Sequence, residues 1–262
     1  MALPLPESLP KRSLVVVPTY DEAENVLPLS AEVLDVAPEL EVLVVDDNSP
    51  DGTGDLVVER MRTEPRLHLL QRERKLGLGT AYLAGFRYAL DHGYDQVFTM
   101  DADFSHPPRY ISQMLEAMKH YDVVIGSRYI TGGGIENWPL YRRLLSRFAN
   151  FYARFLLRLP VRDCTAGFRC YSAEVLEAVE PFQIRASGYS FLEEMAFRVC
   201  RCGFEVGEIA IIFENRRAGS SKIDSLEIYR AAWHVLKTAL RPPPLPNRAG
   251  APQSSGPRAS SL

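Results

Sequence analysis

The 262 residues carry 30 Lys and Arg against 33 Asp and Glu, a net charge of -3, so no overall positive field draws the chain to nucleic acid. That length suffices for one full α/β core. No run approaches the ~20 apolar residues of a bilayer span, and Met1–Lys11, with three prolines and no apolar centre, lacks the form of a secretory signal. Cys164, Cys170, Cys200 and Cys202 lack zinc-site spacing, so reduced, mostly buried thiols are expected.

In chain order, the first β-branched run is Leu14–Val17, leading into Pro18, and a helical pattern follows over Glu24–Val36. Val42–Val45 runs into Asp46 and Asp47, ahead of a helical stretch over Gly54–Arg62. Leu67–Leu70 is a third strand before a helix over Thr80–Asp91, and Val97–Met100 a fourth before a helix over Pro108–Lys119. Val123–Ile125 is the fifth, and Ile209–Phe213 reads as a later strand. Continuous apolar strands separated by helices predict a largely parallel sheet covered on both faces. Three segments are expected: an N-terminal extension over 1–11, one catalytic domain over 12–240, and a tail over 241–262. The tail is rich in Pro, Ser, Gly and Ala, has no acidic residue, and is predicted to be disordered.

In such sheets ligands sit beyond the carboxyl ends of the strands. Polar residues follow three of them: Thr19–Glu22, Asp46–Ser49, and Asp101-Ala102-Asp103. In an extended chain residues i and i+2 point the same way, so Asp101 and Asp103 can converge on one point. Two hard oxygen ligands suit Mg²⁺ or Mn²⁺ with positions left for water and phosphate; a solvated turn that merely stops the strand is the plainer alternative. A dinucleotide site needs a glycine-rich turn after the first strand, where this chain has Pro18-Thr19-Tyr20-Asp21-Glu22. No Gly-Lys-Ser/Thr follows a strand, which excludes a P-loop. A metal-bound diphosphate of a sugar donor fits better, because a divalent ion stabilises the charge that grows as the glycosidic bond breaks. Lys75, in a loop with Gly77 and Gly79, reads either as a cation beside those phosphates or as a solvated surface lysine.

Two further features bear on substrate. Asn215–Lys222, containing Arg216, Arg217, Gly219, Ser220 and Ser221, reads as a loop able to close over phosphates. In Leu144–Leu159, the apolar residues Leu144, Leu145, Phe148, Phe151, Tyr152, Phe155, Leu156 and Leu159 share a stripe roughly 140° wide, at about 100° per residue. Arg143, Arg147, Arg154 and Arg158 lie along one flank, while Arg142 falls on the other side. Such a helix suits the interface of an anionic leaflet, although a stripe packed on its own domain is the simpler form. Leu226–Leu240 is a second amphipathic stretch, with Leu226, Tyr229, Trp233, Leu236 and Leu240 at helical spacing. Glu193-Glu194 reads either as a border of the site or, more simply, as a polar helix face.

Val16–Asn25 and Val45–Thr53 resemble the start of an inverting GT-A glycosyltransferase. Lys75–Tyr82, Met100–Pro107, Gly126–Tyr129, Glu136–Pro139 and Asp163–Arg169 are more specifically similar to the dolichol-phosphate (polyprenol-phosphate) mannose synthase family, over about residues 12–240. The resemblance implies an α/β GT-A fold with C-terminal amphipathic helices. It implies that Pro18, Tyr20, Glu22, Val45 and Asp47 hold the nucleoside of GDP-mannose, with Lys75, Gly79 and Ala102 also on the donor. Asp101 and Asp103 would bind the metal and diphosphate. Ser105 stands where some members have a third metal ligand, often Gln, so that water can replace it here. Arg128, Arg216 and Lys222 match cations on donor or acceptor phosphate, and Arg142 and Ser146 match acceptor-phosphate positions.

The implied reaction is inverting transfer of mannose to a polyprenyl monophosphate, peripheral on the cytoplasmic face of a membrane, with a membrane-anchoring partner protein left open. The acceptor phosphate is already anionic at neutral pH, its second pKa being about 6, so no strong general base is required. Two other readings remain at this point: transfer from UDP-glucose or another UDP-sugar, and a non-catalytic nucleotide-sugar-binding scaffold.

Overall fold

The alternation of side chains in the first two strands explains how the sheet is buried. Leu14, Val16, Leu43 and Val45 enter one apolar cluster, and Val15, Val17, Val42 and Val44 enter another on the opposite face. The computed structural model describes residues 11–184, 186, 188–214 and 225–244. Most of the N-terminal extension, most of the tail, and the Arg216 and Lys222 loop lie outside them.

The elements follow the expected alternation: β1 (Ser13–Thr19), α1 (Val26–Leu34), β2 (Leu40–Asp46), α2 (Thr53–Met61), β3 (Leu67–Gln71), α3 (Leu78–Asp91), β4 (Gln96–Thr99), α4 (Ile111–Ala117) and β5 (Val123–Ser127). After them come β6 (Gly134–Ile135), α5 (Leu140–Leu157), β7 (Arg169–Ser172), α6 (Ala173–Val179), α7 (Tyr189–Arg201), β8 (Val206–Ala210), β9 (Ile212–Phe213) and α8 (Ser225–Leu240). The main sheet has the order β3-β2-β1-β4-β7-β5-β8, and β6 pairs with β9 in a small second sheet. Every pairing in the main sheet is parallel except those of β7, which runs antiparallel between β4 and β5. β7, a four-residue strand holding Arg169, is not among the strands expected from the sequence. The single strand expected over Ile209–Phe213 is two, β8 and β9, which divide at Ile211.

Because β1, β2, β4 and β5 are parallel, their carboxyl ends share one edge. Antiparallel β7 begins at that edge, with Arg169 opposite Thr99 and Ile125. The loop before it, 158–168, is therefore delivered to the same place. Three non-glycine residues turn the chain there in the left-handed region: Asp21 (φ 59), Asn48 (φ 58) and Phe104 (φ 64). Such conformations cost on the order of 1 kcal/mol each and gather at sites that packing holds in shape.

The C-terminal layer departs from expectation at α7. α7 has no polar face at Glu193-Glu194, because both carboxylates are buried. Glu194 accepts from Arg198 at 2.9 Å and meets His234 of α8 at 2.8 Å. On α5, the buried positions are Asn150, Ala153 and Leu157. The apolar stripe is only partly core: Tyr152 and Leu156 pack against it and Leu159 is buried, while Leu144, Leu145, Phe148, Phe151 and Phe155 are exposed.

Candidate active site

Asp101 and Asp103 follow β4 at the carboxyl edge. Asp101 is partly open, its side chain 37% exposed, and accepts from the Tyr82 hydroxyl at 3.1 Å. Burial, and then the Asp101 charge, push the Tyr82 pKa well above the ordinary phenol value, so that hydroxyl stays a donor. Asp103 is buried and accepts the Ser105 N–H at 3.0 Å. The Ser105 hydroxyl oxygen is buried without a hydrogen-bond partner among the described residues. Buried polar atoms are normally paired, so this orphan oxygen, two residues from Asp103, is a candidate ligand atom beside the carboxylates. Ala102 is buried between the two carboxylates.

His106 organises the turn. Its Nδ1 accepts the Asp101 N–H at 3.2 Å, which places the ring proton on Nε2. Burial lowers its pKa despite the nearby Asp101 and Asp103 charges, so the ring is neutral and its 3.8 Å approach to the Asp101 carboxylate is no ion pair. The ring stacks on Phe168 and meets Phe213 edge-on, each at 5.3 Å between centroids. Phe213 in turn meets Trp138 edge-on at 5.3 Å, and the Arg142 guanidinium lies 3.9 Å over Trp138. Arg128 lies 5.6 Å from the Phe213 ring centre. Phe213 thus joins the carboxylate turn to both expected acceptor-side arginines, a role not singled out from sequence. The segment with Arg216 and Lys222 begins just beyond it, and the Glu214 N–H donates to the Ser105 carbonyl at 3.3 Å.

Arg128 is buried and held by Asp163 through Nε at 2.7 Å and Nη2 at 2.8 Å, and it also donates to Thr165 at 2.7 Å. Burial alone would raise the Asp163 pKa, but the Arg128 charge and hydrogen bonds outweigh it and hold that pKa below the usual value. Glu208 of β8 accepts the N–H groups of Arg162 and Asp163 at 2.7 and 2.9 Å, fixing this turn from the neighbouring strand. Ser146 accepts from the Tyr129 hydroxyl at 2.7 Å.

At the β1 and β2 ends, the expected nucleoside residues divide by what they touch. Lys75 Nζ lies 3.8 Å over the Tyr20 ring, bringing that exposed lysine to the site. Glu22 accepts from Asn25 at 2.8 Å, and its N–H donates to Thr53 at 3.1 Å. Asp47 is tied down by Arg72 and by the Leu76 N–H at 3.1 Å. Since Arg72 also donates to Thr80 at 2.8 Å, Asp47 fixes the Lys75–Gly79 loop. Arg72 was not foreseen; only its distant partners disclose it. Pro18 is half-buried, whereas the Val45 side chain is wholly in the core. Gly79 is buried where a Cβ would sit 3.2 Å from Phe191, which explains the small residue.

The donor set suits a hard divalent ion, with carboxylate oxygens from Asp101 and Asp103 and the orphan Ser105 hydroxyl. Among the described residues no group of three or more His, Cys, Asp or Glu is arranged to hold a metal ion. Any ion held here would therefore complete its shell with Ser105, water or a substrate phosphate.

The profile of Glycosyl transferase family 2 matches residues 14–180. The polyprenol monophosphomannose synthase of Mycolicibacterium smegmatis is 43% identical over 233 residues, 88% of each chain. The undecaprenyl-phosphate mannosyltransferase of Micrococcus luteus is 44% identical over 230 residues, 87% of this chain and 94% of that one. Among solved structures, glucosyl-3-phosphoglycerate synthase of Mycobacterium tuberculosis, with Mg²⁺ and uridine diphosphate, superposes with a TM-score of 0.64 at 16% identity, covering 91% of this chain and 81% of that one. A mannosyltransferase of Pyrobaculum calidifontis, with GDP-mannose and Mn²⁺, gives 0.56 at 17% identity, covering 89% and 74%.

Proposed function

Because this chain belongs to glycosyl transferase family 2 and has the GT-A fold, we propose that it transfers mannose from GDP-mannose to a polyprenyl monophosphate with inversion. The observation that carries this reading is the Asp101–Asp103 turn with the orphan Ser105 hydroxyl, at the edge where Arg128, Arg142 and the base of the Arg216 segment meet. The two relatives at 43% and 44% identity, whose names specify polyprenol and undecaprenyl phosphate, support the acceptor. The Pyrobaculum calidifontis mannosyltransferase, solved with GDP-mannose and Mn²⁺, supports the donor.

In the proposed reaction an acceptor phosphate oxygen attacks the anomeric carbon as the bond to the GDP oxygen breaks, and the electron pair leaves with GDP. Asp101, Asp103 and the Ser105 hydroxyl would hold Mg²⁺ or Mn²⁺, which supplies Lewis-acid stabilisation of the leaving diphosphate. Tyr82 and His106 keep the Asp101 carboxylate and backbone in place. Arg128, preset by Asp163, and Arg142, over Trp138, orient the acceptor phosphate. Arg216 and Lys222, which lie outside the described residues, are assigned to the same phosphates on their sequence match alone. The acceptor is its own base, so His106 stays neutral and moves no proton.

Among the described residues, no helix is long and apolar enough to cross a membrane. The exposed Phe148, Phe151 and Phe155 face of α5, with Tyr229 and Trp233 of α8, instead lies in the interface. Its arginine flank fits the anionic cytoplasmic leaflet.

Thermal unfolding with GDP, UDP and their sugars, with and without Mn²⁺, tests the donor. Stabilisation by GDP-mannose that requires Mn²⁺ is expected. Preferential stabilisation by UDP overturns the mannose assignment, and the absence of any metal-dependent nucleotide effect overturns the catalytic reading.

A further inference from the structure

A cleft of about 310 Å³ opens between α5 and the chain that follows β5, lined by Arg128, Tyr129, Arg147, Phe151, Arg154 and Arg162 among others. Asp101, Asp103 and Ser105 do not border it. Of its arginines, Arg128 is held by Asp163. Among the described residues no ion pair engages Arg147, Arg154 or Arg162, so their positive charges stand together. The Arg154 Nε is buried and lacks a hydrogen-bond partner among the described residues. A buried guanidinium donor without an acceptor is costly, and guanidinium forks match phosphate oxygens.

The apolar side of the cleft narrows the choice of anion. Phe151 lines it and is exposed, and the exposed Phe148 and Phe155 continue the same helix face. An anion seated here has guanidinium groups beneath it and an aromatic surface at its side. That is the setting of a phosphodiester at the lipid interface, with acyl chains against the phenylalanines.

We infer that the Arg147–Arg154–Arg162 cleft binds the phosphodiester headgroup of an anionic phospholipid that is not the substrate, and so holds α5 on the leaflet with the active-site edge towards its acceptor. This rests on the interfacial reading of α5 given above. The volume leaves space for a phosphate and its waters, since a water takes ~30 Å³ of liquid.

The test uses the full chain and two vesicle types, phosphatidylcholine alone and phosphatidylcholine with phosphatidylglycerol, neither containing polyprenyl phosphate. Arg154→Gln combined with Arg162→Gln is compared with a charge-matched control, Arg60→Gln combined with Arg62→Gln at the end of α2, with circular dichroism confirming that each folds. The cleft variant is expected to bind phosphatidylglycerol vesicles about 30-fold more weakly, two basic contacts being lost. The control should be unchanged, as should the cleft variant's KM for detergent-dissolved polyprenyl phosphate and for GDP-mannose. Unchanged vesicle binding by the cleft variant overturns the headgroup site but leaves the interfacial reading standing. No binding of the native chain to either vesicle overturns both. A raised KM for the dissolved acceptor assigns the cleft to the substrate phosphate, and stabilisation by inorganic phosphate without any vesicle effect assigns it to a free anion. Either result overturns the proposal.

Discussion

The Phe213 ring meets the His106 ring edge-on with centroids 5.3 Å apart, while His106 accepts the N–H of Asp101. Phe213 meets Trp138 in the same way, and Trp138 carries Arg142 on its face. One aromatic ring at the end of β9 thereby sets the carboxylate turn and the Arg142 guanidinium relative to each other. Edge-to-face pairs contribute about 0.5–1.5 kcal/mol each beyond their buried area. Phe213→Leu is expected to lower kcat and raise the acceptor KM several-fold, with Phe213→Tyr closer to the native enzyme. Steady-state kinetics with detergent-dissolved acceptor checks this; native parameters in the Leu variant would remove Phe213 from the site.

The Arg128–Asp163 pair is buried on both sides. Removing one partner of such a pair leaves an uncompensated charge at a cost of roughly 3–5 kcal/mol. Asp163→Asn should lower the thermal midpoint accordingly and depress transfer through a misplaced Arg128. The Asp163 pKa is depressed in the fold, so its contribution is present above the unfolded carboxylate pKa and lost as pH falls through the folded value. The variant and the native chain should therefore converge in stability in strong acid, and a constant difference down to that pH would contradict the assignment.

Glu193 titrates in the opposite sense. Burial pushes its pKa up to about 8, with Arg169 offsetting part of the effect, and its Oε2 has no partner among the described residues. The folded state therefore keeps a proton that the unfolded chain releases above the ordinary glutamate value of 4.5. The stability tied to that proton is complete below the unfolded pKa and declines as pH rises from about 4.5 towards about 8. Glu193→Gln removes the dependence. It should match the native chain near pH 5 and exceed it at pH 8 by on the order of 2–4 kcal/mol, at about 1.4 kcal/mol per pKa unit. Equal stability of the two proteins at both pH values would show that Glu193 does not titrate in this way.

Gly85 lets α3 lie directly on β1: a Cβ there would stand 2.3 Å from Val16 Cγ1. Gly85→Ala overpacks this contact and should cost about 1–3 kcal/mol. Adding Val16→Ala should recover part of the loss in denaturant melts, because the two sites share one contact. Additive losses would place the strain elsewhere.

What was legible in the sequence was local. Leu14–Val17, Val42–Val45 and Val97–Met100 were readable because each strand is apolar on both faces, and Asp101 and Asp103 because both carboxylates lie within three residues. β7 was missed because four residues around a buried arginine show no apolar run. Arg169 is accommodated by carbonyls from Cys164, Ala166 and Leu192, which folding brings to it, and by the Tyr171 hydroxyl. α7 was misread for a related reason: Glu194 looks solvent-facing until Arg198 and His234 are found beside it. Asp47–Arg72 and Arg128–Asp163 join residues 25 and 35 positions apart, distances at which no spacing rule operates. The orphan state of Ser105, which favours a ligand there, is visible only in three dimensions.

The central claim is mannosyl transfer dependent on the Asp101–Asp103 turn. Radiolabelled GDP-mannose incubated with a polyprenyl monophosphate and Mn²⁺, followed by organic extraction, tests it most directly. The native chain should yield labelled polyprenyl phosphate mannose, and Asp103→Ala almost none while keeping its circular dichroism spectrum. No lipid-linked label from the native chain, or an undiminished rate in the folded Asp103→Ala protein, would contradict the account.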